Sequence, residues 1–205
     1  MDGTVSEGSN PVPDGSQYAD LKYIGYLGYF SIAVFTVCSV IGACLDEEWV
    51  LFENNLCVLG ISDLDFVRFL YPVSCTITGL GMMMFGYSMG RTCDRRLQAL
   101  GYYSCILFGI SLICIGAFDL DSYRSEHMIS VYAMGISAAF VIGFITVDDI
   151  RHRKWAISAF VIFMAVGFIL LTMFKDGCVQ PFTITCMFIW LLIKSRHMVQ
   201  TGSAY

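Results

Sequence analysis

The stretch LQALGYYSCILFGISLICIGAF, residues 97–118, carries no charged side chain over 22 positions. A helix needs about 20 mostly apolar residues to cross the hydrocarbon layer of a membrane. Lipid offers no hydrogen-bond partners to backbone N–H and C=O groups, and a helix satisfies them within one segment. The stretch is therefore predicted to be a transmembrane helix.

Connections of opposite charge flank this stretch. The turn 91–96 before it holds three arginines, and the segment 119–127 after it holds three acids and one arginine. Lysine and arginine accumulate on the cytosolic side of membrane proteins. The helix is therefore predicted to start at the cytosolic face and to end at the opposite face.

Five further apolar runs extend the pattern, and eight Lys and Arg residues fall on one side against three on the other. The sequence therefore predicts an all-α, six-helix transmembrane bundle over residues 21–197, with both termini cytosolic. Residues 1–20 are predicted to be a flexible cytosolic tail, residues 45–68 an outer loop, and residues 198–205 a second cytosolic tail. The other predicted spans are residues 23–44, 69–90, 128–147, 155–174 and 179–193.

The composition excludes several classes of protein. Hydrophobic residues make up 57% of the chain and charged residues 14%, whereas soluble domains carry about 25% charge. No basic patch is interleaved with aromatic residues, so nucleic-acid binding is not predicted. The predicted partners are membrane lipids, with a second copy of the chain or another membrane protein as further candidates. The sequence does not distinguish the plasma membrane from an internal membrane.

Small residues recur every four positions in two of the predicted helices. Such residues let helix backbones approach closely within a membrane. Both series are therefore predicted to be helix-packing faces. They are Gly101, Cys105 and Gly109 in one helix, and Gly135, Ala139 and Gly143 in the next.

Acidic residues and one histidine fall on the side opposite the basic connections. Carboxylates with an imidazole can bind a divalent cation, hold a lipid headgroup or share a proton. They can equally cap helix ends, and this alternative stays open. No cofactor is predicted, and the sequence does not establish whether a metal binds. The predicted ligand-binding residues are Asp63, Asp119, Asp121, Glu126 and His127.

Cys57, in the outer loop, is a candidate for a disulfide with Cys44 or Cys178, because all three fall on the predicted non-cytosolic side. Reduced thiols are the alternative. The sequence contains no H-E-x-x-H, G-x-S-x-G or paired-histidine motif. No catalytic residue is therefore assigned, and a non-enzymatic protein is favoured.

The order of features resembles known six-span families. LGISDLD, residues 59–65, lies in the outer loop, and IGAFDLDSYRSEH, residues 115–127, leads directly into the next span. This arrangement resembles the damage-regulated autophagy modulators and the GPI-anchor remodelling factors. It is equally similar to a related group of six-span proteins of unknown function, in which a Gly–x–Phe–x–x–Asp stretch precedes a histidine. Gly116, Phe118, Asp121 and His127 match that stretch.

Three functional hypotheses follow. The resemblance implies lipid handling or regulation of membrane trafficking. The first hypothesis is a non-enzymatic protein that binds or senses lipid through the outer mouth and a groove between helices. The second is a small transporter or channel with a hydroxyl-lined path. The third is an intramembrane lipid hydrolase or transferase that uses the outer Asp/His cluster. The hydroxyl groups considered for the path are those of Ser74, Thr76, Thr78, Ser111 and Ser137.

Overall fold

Long helices form the membrane-spanning part of the chain. The computed structural model describes residues 15–50, 53–151 and 179–201, and these contain no strand. Five helices are long and apolar enough to cross a membrane, which confirms an all-helical, multi-pass membrane protein. The predicted span 155–174 lies outside the described residues. The helices are α1 (Gly15–Leu45), a 3₁₀ helix (Leu56–Ile61), α2 (Asp65–Thr92), α3 (Arg96–Ala117), α4 (Arg124–Arg151) and α5 (Val179–Thr201).

Helices α1, α2, α4 and α5 extend beyond their predicted spans, and two of them enter a predicted tail. Helix α1 begins at Gly15, inside the predicted tail 1–20, and α5 continues to Thr201, inside the predicted tail 198–205. Hydropathy marks only the apolar part of a helix, whereas the backbone hydrogen bonds continue past it. At the end of α5, Met198 is 2% exposed because it packs against α1. Both boundaries therefore differ from the prediction.

Neighbouring helices contact each other in the order α4, α3, α2, α1, α5, and α5 also contacts α4 and, through Trp190, α2 and α3. Helices α1 and α5 run antiparallel. A Cβ on Gly25, near the start of α1, would lie 2.8 Å from a methyl group of Val199, near the end of α5. Further along α1, the rings of Phe35 and Phe188 pack edge to face with centroids 5.4 Å apart.

The remaining neighbours are antiparallel as well. Gly42 of α1 lies beside Val67 of α2. Helix α2 then meets α3 where Gly86 lies beside Tyr102, and α3 meets α4 where Gly101 lies beside Ile145. Helices α1 and α3 consequently run in one direction, and α2, α4 and α5 run in the other.

The two ends of the bundle differ in charge. We call the end that holds the 3₁₀ helix and residues 118–123 the acidic end, and the opposite end the basic end. At the basic end, Arg95 Nη1 donates a hydrogen bond to Asp148 Oδ2 at 3.0 Å. The Asp148 side chain is 6% exposed. The ion pair compensates this buried carboxylate and connects the start of α3 to the last turn of α4.

The two series of small residues occupy different environments. Gly109 lies directly against Gly79 of α2, and a Cβ on Gly79 would be 2.6 Å from the Gly109 carbonyl oxygen. Cys105, in the same series, is fully buried. By contrast, a Cβ on Gly135 or Gly143 would meet no described atom within 4 Å. Ala139, between them, is exposed.

Candidate functional site

The 3₁₀ helix covers the acidic end of α1 and α2. Leu59 is buried against Gly42 and Val67, and Gly60 lies over the ring of Tyr71, where an added Cβ would be 3.0 Å from a ring carbon. In the connection before it, Trp49 Nε1 donates a hydrogen bond to the Asn55 carbonyl at 3.2 Å. These contacts hold the loop against the bundle.

Arg68 is held in place at the start of α2. Its Nε donates a hydrogen bond to the Ser62 carbonyl at 3.0 Å. The Leu64 N–H donates to Ser62 Oγ at 3.3 Å, so the same residue anchors the chain entering α2. The Arg68 side chain is exposed, and among the described residues the one hydrogen bond of its guanidinium is that of Nε.

Asp119 follows α3 and lies near Arg68. Its Oδ1 accepts a hydrogen bond from the backbone N–H of Ser122 at 2.5 Å. This hydrogen bond and, more weakly, the positive charge of Arg68 hold the pKa of Asp119 below its usual value. Asp119 is therefore an ionised carboxylate within electrostatic reach of the Arg68 guanidinium, and the two groups form no ion pair.

His127 is buried rather than exposed among the carboxylates. It is 1% exposed, and its Nδ1 lies 2.7 Å from the Phe118 carbonyl oxygen. A carbonyl only accepts, so Nδ1 carries the proton and donates it. Nε2 is buried and has no hydrogen-bond partner in the part of the chain that the structure describes. His127 thus connects the end of α3 to the first turn of α4, which corrects its predicted place in a solvent-facing ligand cluster.

The other predicted ligand residues do not converge on one point. Asp63, Asp121 and Glu126 are each exposed. Among the described residues, no group of three His, Cys, Asp or Glu side chains could hold a metal ion. Sequence reasoning used Arg68 only to assign topology. The signal that could have singled it out is its position, as the one basic residue in segment 45–68.

An apolar groove begins next to this polar group. It has a volume of about 350 Å³ and lies on the side of the bundle between α2 and α3. The α2 residues that line it follow one another at the spacing of one helix face. The first of them directly follows Arg68, and Pro72 lies four residues after it, so Arg68 lies at the acidic end of the α2 face that lines the groove. The lining residues are Phe69, Pro72, Val73, Thr76, Ile77, Gly116 and Ala117.

Gly116 brings α3 close to α2 beside the groove. A Cβ at this position would lie 2.8 Å from Cys75 Cβ and 3.0 Å from Pro72 Cα. Phe69 is 66% exposed, and it forms a side of the groove next to Arg68. The groove therefore opens sideways, towards the region that lipid tails fill around a membrane helix.

The described residues do not contain the predicted bridge between Cys57 and Cys44. Cys44 is an exposed free thiol, and Cys57 is buried in the 3₁₀ helix. Burial raises the pKa of the Cys57 thiol to about 11, which disfavours the thiolate that disulfide exchange requires. Cys178, the alternative partner, lies outside the described residues.

The hydroxyl groups of the predicted polar path donate to backbone carbonyls. Thr78 Oγ1 donates across the α1–α2 contact to the Ser31 carbonyl at 3.2 Å. The other four donate within their own helices, so a hydroxyl-lined path gains no support from the described part of the chain. These four are Ser74, Thr76, Ser111 and Ser137.

Comparison with known proteins identifies one family model. The model, described as a protein of unknown function (DUF998), matches residues 30–197. No curated protein matches the chain, and no solved structure matches it. The comparisons name neither the autophagy modulators nor the GPI-anchor remodelling factors, so that resemblance stays a prediction.

Proposed function

The chain belongs to the DUF998 family of proteins of unknown function, and we propose that it binds a membrane lipid in the groove between α2 and α3. The groove is the observation that supports this proposal. It is apolar, opens sideways and starts beside a fixed guanidinium. An acyl chain would lie in the groove, and the headgroup would lie at the acidic end. A role in membrane trafficking is what the family resemblance implies, and it stays a prediction.

Packing contacts and polar contacts would contribute to binding in different ways. Lipid tails are as apolar as the groove, so an acyl chain gains no hydrophobic free energy by moving into it. It gains van der Waals contacts with a shaped surface instead. Selectivity for one lipid therefore has to come largely from the polar groups at the acidic end.

A bulky side chain in the groove tests the proposal. Ala117 is exposed and lines the groove, so Ala117→Phe is expected to fill it and lower the amount of co-purified lipid about tenfold, a loss of about 1.4 kcal/mol. The measurement is the molar ratio of lipid to protein by mass spectrometry after detergent extraction. Ala33→Phe, at an exposed position on α1, is the matched control and should leave the ratio unchanged. Equal ratios in both variants would contradict the proposal.

The six-span topology is part of the same proposal, and the directions of the described helices support it. Helices α4 and α5 both run from the acidic end to the basic end. The 27 residues 152–178 therefore join opposite ends of the bundle. At 1.5 Å per residue, a helix of that length is about 40 Å long, which is enough to cross the hydrocarbon layer.

Epitope tags test this topology in intact cells. Tags before Met1 and after Tyr205 are expected to be detected only from the cytosolic side, after permeabilisation. A tag inserted after Asp121, in the exposed connection between α3 and α4, is expected on the opposite side. If the two terminal tags were detected on different sides, the number of spans would be odd and the topology wrong.

A further inference from the structure

We propose that the lipid bound in the groove has a zwitterionic headgroup, with its phosphate at Arg68 and its amine at the carboxylates of Asp119 and Asp65. The inference rests on the proposed function, since it needs a lipid in the α2–α3 groove. It adds the chemical class of the lipid.

The phosphate position follows from where Arg68 lies. In a phospholipid the phosphate lies at the polar end of the acyl chains. Phe69, the first groove residue, directly follows Arg68, so a chain in the groove brings its phosphate to the level of the guanidinium. Arginine binds phosphate with two parallel hydrogen bonds. The bond from Arg68 Nε to the Ser62 carbonyl orients the group and leaves both terminal nitrogens to bind.

The amine position follows from the carboxylates of Asp119 and Asp65. Asp119 is ionised and held by the Ser122 N–H. Asp65 is exposed in the first turn of α2, three residues before Arg68, and so lies nearly one helical turn farther towards the acidic end. Along α2, from the groove outwards, the charge therefore changes from positive at Arg68 to negative at Asp65. A phosphate followed by an ammonium group has the complementary order of charges.

The net charge of this end disfavours an anionic headgroup. Segment 45–68 holds six acids against one arginine, and segment 119–127 holds three against one. A headgroup with a net negative charge would be repelled by this excess. In a zwitterionic headgroup the amine offsets the repulsion while the phosphate keeps its contact with Arg68.

A competition experiment with the full-length chain in detergent tests the inference. The protein is incubated with equal amounts of phosphatidylethanolamine, phosphatidylcholine, phosphatidylglycerol and diacylglycerol that carry the same acyl chains. Bound lipid is quantified by native mass spectrometry. We expect each zwitterionic lipid to exceed phosphatidylglycerol about tenfold at low salt. Equal binding of all three phospholipids, or a preference for phosphatidylglycerol, would overturn the inference.

Variants assign the preference to the named groups. Arg68→Gln is expected to lower binding of both zwitterionic lipids about tenfold and to leave diacylglycerol unchanged. Asp119→Asn keeps an acceptor for the Ser122 N–H and is expected to raise the share of phosphatidylglycerol. Arg124→Gln is the matched control, because Arg124 is an exposed arginine at the same end. If Arg68→Gln behaves like Arg124→Gln, the guanidinium does not bind the phosphate.

Two further arms separate this inference from the proposed function. If Ala117→Phe lowers binding of every lipid but the wild-type chain shows no headgroup preference, the groove binds lipid and only the headgroup assignment fails. If Ala117→Phe changes nothing, the groove itself is not the site. Soluble phosphoethanolamine, which has no acyl chain, is expected not to displace bound lipid. If phosphoethanolamine displaced the bound lipid at a concentration equal to that of the lipid, the headgroup alone would account for binding. That result would contradict a lipid held by the groove.

Discussion

Replacing Gly109 by valine is expected to destabilise the bundle by about 3 kcal/mol, because a side chain there has no room. An added Cβ would meet the Gly79 carbonyl oxygen and would lie 2.7 Å from Met83 Cγ. The obstacle includes the backbone of α2, which cannot move aside as a side chain can. The α2–α3 contact would have to open, and this contact also positions the groove.

The matched control is the same substitution in the exposed series. Gly135→Val adds a side chain where no described atom lies within 4 Å, so the change in the free energy of unfolding is expected to stay within about 0.5 kcal/mol. Unfolding of both variants is followed by circular dichroism during titration of mixed micelles with sodium dodecyl sulfate. Equal destabilisation by the two substitutions would show that the α2–α3 contact is not as close as described.

Replacing His127 by alanine is expected to cost about 3 kcal/mol, by two mechanisms. The substitution leaves a cavity in place of a buried ring. It also removes the Nδ1 donor from the Phe118 carbonyl, at the point where the chain leaves α3 and enters α4. The substitution also removes Nε2, a buried acceptor without a partner among the described residues, and this offsets part of the loss of stability. The measurement is the same detergent titration.

An asparagine at this position separates the hydrogen bond from the ring. The Asn side chain places an N–H donor where His127 Nδ1 lies and has no counterpart of Nε2. His127→Asn is therefore expected to recover about 1 kcal/mol relative to His127→Ala. If asparagine and alanine destabilise equally, the bond to the Phe118 carbonyl contributes little. If neither variant is destabilised, His127 has no structural role and its assignment as a link between helices is wrong.

The helices could be predicted closely because their signal is local. An uncharged run such as 97–118 has to form its own backbone hydrogen bonds in lipid, whatever surrounds it. Its helix is observed at Arg96–Ala117. The prediction was less accurate where α5 continues into polar sequence, because there the helix packs against α1, with Met198 and Val199 beside Gly25.

The candidate site could be predicted only in part. The sequence placed Asp119 and Arg68 at the same end of the bundle, where the structure also has them, and their role in binding stays a prediction. It grouped His127 with the exposed carboxylates, because distance along the chain does not reveal which face of a helix turns inwards. It predicted a groove between helices without naming the helices, because the groove needs Phe69 and Pro72 of α2 to face Gly116 of α3.

The amino-acid sequence by itself determined that this protein is built from membrane helices with one basic and one acidic side, because both properties depend on composition within single segments. Only the tertiary structure decided which small residues touch, that His127 is buried, and that Arg68 lies above an apolar groove. Those features depend on how far each helix is rotated and shifted against its neighbour. Rotation and shift are set jointly by the side chains of two helices, so the pattern of either helix alone does not contain them.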